Sequence, residues 1–135
     1  MARTAGSLDA NVVLRLLLSD VPAQHTATLK LFKGATGQFC VADTAIIEVI
    51  FVLGRAYEFT REQIVDAIEG LMMLRELNLN RTLFEKALPL YVSRTSLSFE
   101  DCCLAVYAEL NDAEPLWTFD TKLARQAASA QLVTV

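Results

Sequence analysis

The stretch that decides the fold is Leu8-Asp9-Ala10-Asn11-Val12-Val13-Leu14-Arg15, near the start of a chain of 135 residues. A short strand is predicted to end here, and an apolar helix is predicted over residues 12–18. Asp9 lies between them, at a position where aspartate is a favoured helix cap. The same order returns at residues 116–119, a predicted strand that is followed by Asp120 and a last helix. This repeated order indicates an α/β protein.

Short strands alternate with helices between these two ends. Thr60 and Gln63 have the spacing of a capping box, and Ser98 and Asp101 resemble one. Further helices are predicted over residues 22–33, from 43 or 44 to 54–57, from 61, over 83–94 and over 98–111, with strands at 39–41, 77–80 and 132–133. Such alternation predicts a parallel sheet covered by helices on both faces. We see no linker or repeat, so we expect a single domain over residues 1–135.

Composition excludes several classes of protein. Hydrophobic residues make up 53% and charged residues 21%, the opposite of a disordered chain. The longest uncharged stretch, residues 126–135, is far shorter than the roughly 18 residues that indicate a membrane span. Asp9 and Arg15 interrupt any signal-peptide core. We therefore expect a cytoplasmic protein without a membrane segment.

Cysteine and histidine content excludes a disulfide framework and a zinc site. The three cysteines are Cys40, Cys102 and Cys103, and an odd count with two adjacent residues favours buried, reduced thiols. His25 is the single histidine and lies in a polar stretch, so we expect it at the surface.

Asp9 and Asp120 are the first candidates for chemistry. Because the carboxyl ends of parallel strands share one edge of a sheet, two strand-end aspartates can approach each other there. Each is also explained as an ordinary helix cap.

Glu48 is the least ordinary residue, since it is the one charge in residues 44–53. We expect it to be buried, and a buried carboxylate is paired, protonated or bound to a metal. It shares a helical stripe with Thr44, Phe51 and Arg55. The alternative is a buried ion pair with an arginine.

Asp101 is a candidate despite its capping-box spacing. The helix places it in line with Ala105 and Ala108, whose small side chains suit either a cavity or close helix packing. Together with Asp9, Glu48 and Asp120 it would form a cluster of four repelling carboxylates. Mg²⁺ or Mn²⁺ would relieve that repulsion, because these ions prefer carboxylate and water oxygens.

Four segments in this order resemble the PIN-domain ribonucleases, and among them the VapC-type toxins of toxin–antitoxin pairs. They are Leu8-Asp9-Ala10-Asn11-Val12-Val13-Leu14-Arg15, Ile46-Ile47-Glu48-Val49-Ile50-Phe51-Val52-Leu53, Ser98-Phe99-Glu100-Asp101-Cys102-Cys103-Leu104-Ala105 and Thr118-Phe119-Asp120. The resemblance covers nearly the whole chain. It implies a PIN-domain-like α/β fold, a small parallel β-sheet flanked by helices on both faces.

The resemblance also implies a function. Asp9, Glu48, Asp101 and Asp120 would hold one or two Mg²⁺ or Mn²⁺ ions, and a metal-activated water would cleave RNA internally. Asn11 and Thr118 match the polar positions that support the site. Lys122 replaces a further aspartate that many relatives carry. A homodimer and a small antitoxin whose tail covers the acidic pocket are expected partners.

Nucleic-acid binding has to be reconciled with a net charge of -4. Removing the four proposed ligands from the 16 acidic residues leaves 12, which equals the 12 basic residues, so the remaining surface is balanced. Candidate contacts to the RNA backbone are Arg15, Arg55, Lys122 and Arg125, each of which is otherwise a surface charge. The alternatives are a non-catalytic PIN-like binding module, a Mg²⁺-dependent phosphatase or phosphotransferase, and a nuclease that cuts DNA.

Overall fold

The computed structural model describes residues 4–135 as an α/β fold whose strands are parallel. Two compact units are present: one ends at Asn80, and the other comprises Arg81–Val135. The expected single domain over residues 1–135 stays a prediction.

The first unit contains a three-stranded parallel sheet in the order β1-β2-β3. Two helices connect each strand to the next. The elements are β1 (Thr4–Ser7), α1 (Ala10–Leu17), α2 (Pro22–Gly34), β2 (Gln38–Cys40), α3 (Asp43–Arg55), α4 (Arg61–Met72) and β3 (Leu77–Asn78). The amide of Leu8 donates to the carbonyl of Cys40 over 3.0 Å, which continues the pairing to the residue before Asp9. The carboxyl end of β1 therefore leads directly into the Asp9 cap.

The second unit contains a two-stranded parallel sheet, β4-β5. Its elements are α5 (Arg81–Ser93), α6 (Phe99–Leu110), β4 (Leu116–Thr118), α7 (Thr121–Gln126) and β5 (Ala130–Leu132). Every strand pairing among the described residues is parallel, as predicted, and each unit contains one small parallel sheet. The order of helices and strands agrees with the prediction throughout the described residues.

Each unit has its own apolar core. In the first, Ile46, Val49 and Leu53 on one side of α3 are fully buried, as are Ile64 and Ile68 of α4. In the second, Phe99 at the start of α6 lies 5.9 Å from the ring of Phe84 and 5.5 Å from the ring of Tyr91. Aromatic pairs at these separations add packing energy beyond their buried area. No helix within residues 4–135 is long and apolar enough to cross a membrane.

Candidate active site

Asp9 is fixed at the start of α1 by a backbone contact. Its Oδ1 accepts a hydrogen bond from the amide of Val12 over 3.0 Å. The side chain is exposed. The cap predicted from the sequence is therefore present, and Oδ2 makes no hydrogen bond to the described residues.

Glu48 is exposed, so the expectation of a buried carboxylate is wrong. The helical stripe of Thr44, Glu48, Phe51 and Arg55 was predicted correctly, but all four residues lie on the exposed side of α3. The buried residues of α3 occupy the other sides of the helix: Ile46, Val49, Ile50 and Leu53. The structure gives Glu48 no arginine partner among the described residues, so the buried ion pair is also excluded there.

The start of α3 differs from the prediction as well. The residue before the helix is Ala42, and no side chain caps the helix there. Asp43 lies in the first turn, where its Oδ2 accepts a hydrogen bond from Nδ2 of Asn80 over 3.1 Å.

Asp101 forms the predicted capping box with Ser98. The Asp101 amide donates to the Ser98 hydroxyl over 3.1 Å, and the Ser98 amide donates to Asp101 Oδ2 over 3.2 Å. Ala105 and Ala108, the small residues in line with Asp101, are buried. Their burial fits close helix packing, one of the two predicted alternatives.

Asp120 is held at the carboxyl end of β4 from both sides. Its Oδ1 accepts hydrogen bonds from the amides of Lys122 and Leu123 over 2.9 and 3.3 Å. Its own amide donates to the hydroxyl of Thr118 over 2.9 Å. Thr118 therefore fixes the backbone from which the carboxylate extends.

Asp9, Asp101 and Asp120 share one arrangement: one carboxylate oxygen is engaged by backbone amides, and the other makes no hydrogen bond to the described residues. Such an oxygen keeps its orientation and stays open to a ligand. The donor chemistry fits Mg²⁺ or Mn²⁺, which bind carboxylate oxygens. Among residues 4–135, however, no group of three or more His, Cys, Asp or Glu side chains is arranged to hold a metal ion. Each compact unit carries two of the four acids, and the quartet stays a prediction.

Arg15 belongs to a structural network and not to a phosphate-binding surface. Its side chain is buried, and Nη1 lies 2.7 Å from Asp20 Oδ1. Nη2 donates to the Tyr57 hydroxyl over 3.2 Å, and that hydroxyl donates to Asp20 Oδ2 over 2.5 Å. The hydrogen bond with Tyr57 is the largest cause that raises the pKa of Arg15 and lowers the pKa of Asp20. Burial and the engagement of both terminal nitrogens argue against the predicted contact of Arg15 with RNA, while its buried Nε makes no hydrogen bond to the described residues.

His25 joins the same network, and the prediction of a surface histidine is only half right. It is half-buried, and its Nδ1 lies 2.7 Å from the carbonyl oxygen of Arg15. Since a carbonyl accepts, Nδ1 carries the hydrogen. The sequence did not predict the roles of Asp20 and Tyr57, because no local pattern links Tyr57 to residues 42 and 37 positions before it.

The remaining proposed cations are accessible. Arg55, Lys122 and Arg125 are exposed, and Asn11 is exposed in the first turn of α1. Cys102 and Cys103 are buried as expected, whereas Cys40 is half-buried.

Comparison with known proteins identifies the family. The profile of the PIN domain matches residues 7–129, which include Asp9, Glu48, Asp101 and Asp120. No curated protein shows significant similarity to the chain. PIN domains are typically metal-dependent nucleases. With its parallel strands, its strand-end aspartates and a match over most of its length, the chain belongs to the PIN domain family.

Proposed function

We propose that the chain is a Mg²⁺- or Mn²⁺-dependent endoribonuclease and acts as the VapC-type toxin of a toxin–antitoxin pair. One observation carries the proposal. Three aspartates of the proposed quartet are each fixed by backbone amides through one oxygen, while the other oxygen is open to a ligand. A purely structural cap needs only the engaged oxygen.

Asp9, Glu48, Asp101 and Asp120 would hold one or two ions. A divalent ion there supplies a Lewis acid that polarises phosphate oxygens and activates water for in-line attack. The chain's residues supply orientation. Thr118 fixes the backbone of Asp120, and Asn11 would orient a ligand beside Asp9. Arg55, Lys122 and Arg125 would bind phosphates of the RNA on either side of the cleavage point.

The toxin role adds partners to this chemistry. An acidic site attracts a basic antitoxin tail, which would cover the pocket until the antitoxin is removed. A homodimer would bury exposed apolar side chains such as Leu29 and Leu31 of α2, which are 44% and 48% exposed. An odd number of cysteines, expected to be reduced thiols, suits a cytoplasmic protein, since disulfides persist mainly in oxidising compartments.

Two assays separate the proposal from its alternatives. The purified chain should cleave single-stranded RNA, lose activity on chelation and regain it with Mg²⁺ or Mn²⁺. Release of phosphate from a small phosphomonoester without RNA cleavage would favour a phosphatase. RNA binding without cleavage would favour a binding module, and cleavage of single-stranded DNA at an equal rate would widen the substrate class.

The toxin role needs a cellular test. Induction of the chain should arrest growth and generate new RNA ends, while the Glu48→Gln variant, expressed to the same level, should do neither. Normal growth after induction of a chain that is active in the purified state would contradict the toxin role but not the nuclease.

A further inference from the structure

Two aromatic side chains at the carboxyl end of β4 are exposed beside Asp120. Trp117 is 58% exposed and Phe119 is 70% exposed. Large aromatic groups are normally buried on folding, because each removes a large apolar area from water. An exposed aromatic pair next to a proposed catalytic carboxylate therefore suggests a ligand-binding role.

Pairing with β5 fixes the backbone around the two aromatic residues. Trp117 is paired with Gln131 in β5, and the amide of Val133 donates to the carbonyl of Thr118 over 2.8 Å. Both side chains are exposed while that of Thr118 between them is half-buried, so Trp117 and Phe119 lie on the same side of the chain.

Two exposed cations follow the aromatic pair and can bind phosphates. Residues 116–135 contain Lys122 and Arg125 as their basic residues and Asp120 as their single acidic residue. Both cations are exposed and lie three residues apart on α7, so they share a side of that helix.

We propose that Trp117 and Phe119 form a stacking platform that binds unpaired bases of single-stranded RNA next to Asp120. The inference rests on the proposed nuclease function and adds a substrate class to it. Base stacking on aromatic side chains is tolerant of sequence and needs bases that are not paired. It also supplies affinity where a balanced surface charge supplies little.

The platform and the neighbouring cations would bind different parts of the RNA. Trp117 and Phe119 would hold the base, and Lys122 and Arg125 would bind the adjoining phosphates. Because Phe119 directly precedes Asp120, a base held on its ring would lie one residue from that carboxylate along the chain. The cut would therefore fall next to an unpaired base.

The chain's single tryptophan makes the platform directly observable. Trp117 fluorescence is recorded while a short single-stranded oligoadenylate is added to the full chain in the presence of a chelator, so that no cleavage occurs. Saturable quenching is expected. The same amount of oligoadenylate paired with oligouridylate should quench much less, because its bases are already stacked. No quenching by the single strand, or equal quenching by the duplex, would overturn the proposal.

Substitutions test the role of the aromatic ring. Binding of end-labelled oligoadenylate is measured by anisotropy for Trp117→Leu, Trp117→Phe and Phe119→Leu. Losing a ring should weaken binding by roughly 5- to 100-fold, the range found for base–aromatic stacking. Trp117→Phe should retain most of the affinity. Met73→Ala is the matched control, because Met73 is 82% exposed and lies in the other unit.

The remaining outcomes distinguish a failure of the stacking platform from a failure of the proposed nuclease function. Unchanged RNA affinity in Trp117→Leu overturns the platform, and if that variant also loses self-association the surface is a protein interface. Quenching and ring-dependent binding in a chain without nuclease activity would refute the proposed function and leave the platform intact. Nuclease activity with ring-independent binding would refute the platform alone.

Discussion

The two capping boxes allow the stability role of Asp101 to be separated from its proposed role at the active site. Ser98 and Asp101 start α6, and Thr60 and Gln63 start α4, with the same pair of reciprocal hydrogen bonds. Only the first box contains a proposed metal ligand. Ser98→Ala and Thr60→Ala therefore make the same local change at two places with different expected consequences.

The magnitude follows from the bond that is lost. Each substitution removes the hydroxyl that accepts from a backbone amide, over 3.1 Å in both boxes. Removing such a cap costs about 1 kcal/mol in the free energy of unfolding, within a range of roughly 0.5–2 kcal/mol. For a chain of 135 residues this corresponds to roughly 3 to 5 °C in Tm. Urea unfolding monitored by circular dichroism measures the change.

The two variants should differ in activity. Ser98→Ala loosens the turn that orients Asp101, so we expect Mg²⁺-dependent RNA cleavage to fall by roughly tenfold, as when an outer partner of a metal ligand is removed. Thr60→Ala should cleave RNA at the wild-type rate. Equal loss of activity in the two variants would refute the reasoning, because stability and not the orientation of Asp101 would then control activity.

Three further predictions follow from the described geometry. The hydrogen bond from Tyr57 lowers the pKa of Asp20, so the ionised carboxylate stabilises the fold above about pH 4, and this stabilisation is lost as the pH falls. Asp20→Asn should abolish that part of the pH dependence of the free energy of unfolding, measured in urea. An unchanged pH dependence would contradict the prediction. Lys122→Ala and Arg125→Ala should each reduce the slope of log affinity for single-stranded RNA against log salt by about 0.7, whereas an unchanged slope would remove that residue from the phosphate contacts. Gly6 has a φ of 118° at an irregularity in β1, so Gly6→Ala should cost about 1–2 kcal/mol in the free energy of unfolding, while Gly34→Ala, where an added Cβ meets no atom within 4 Å, should not destabilise.

Local patterns predicted the elements well because their causes are local. The capping boxes of α4 and α6 join residues three apart, and Asp9 and Asp120 cap the helices that directly follow them. Each depends on one side chain and an amide within one turn. The sequence therefore predicted where these four helices start.

Non-local features were predicted less well. The apolar composition of α3 suggested that Glu48 is buried, but composition does not say how wide the buried side of a helix is. The role of Arg15 depends on Tyr57, 42 residues away. The exposure of Trp117 and Phe119 depends on what packs beside β4. Their positions on either side of Thr118 were the one signal in the sequence that the two side chains share a side.

The most direct test of the central claim compares RNA cleavage by carboxylate variants that keep the fold. Asp9→Asn, Glu48→Gln, Asp101→Asn and Asp120→Asn are assayed on single-stranded RNA with Mg²⁺ or Mn²⁺. Glu100→Gln is the control, because Glu100 is an exposed acid directly beside Asp101. Circular dichroism verifies that each variant is folded. The account predicts loss of cleavage in all four variants and wild-type cleavage by Glu100→Gln. Full activity in a folded Glu48→Gln or Asp9→Asn variant would contradict it.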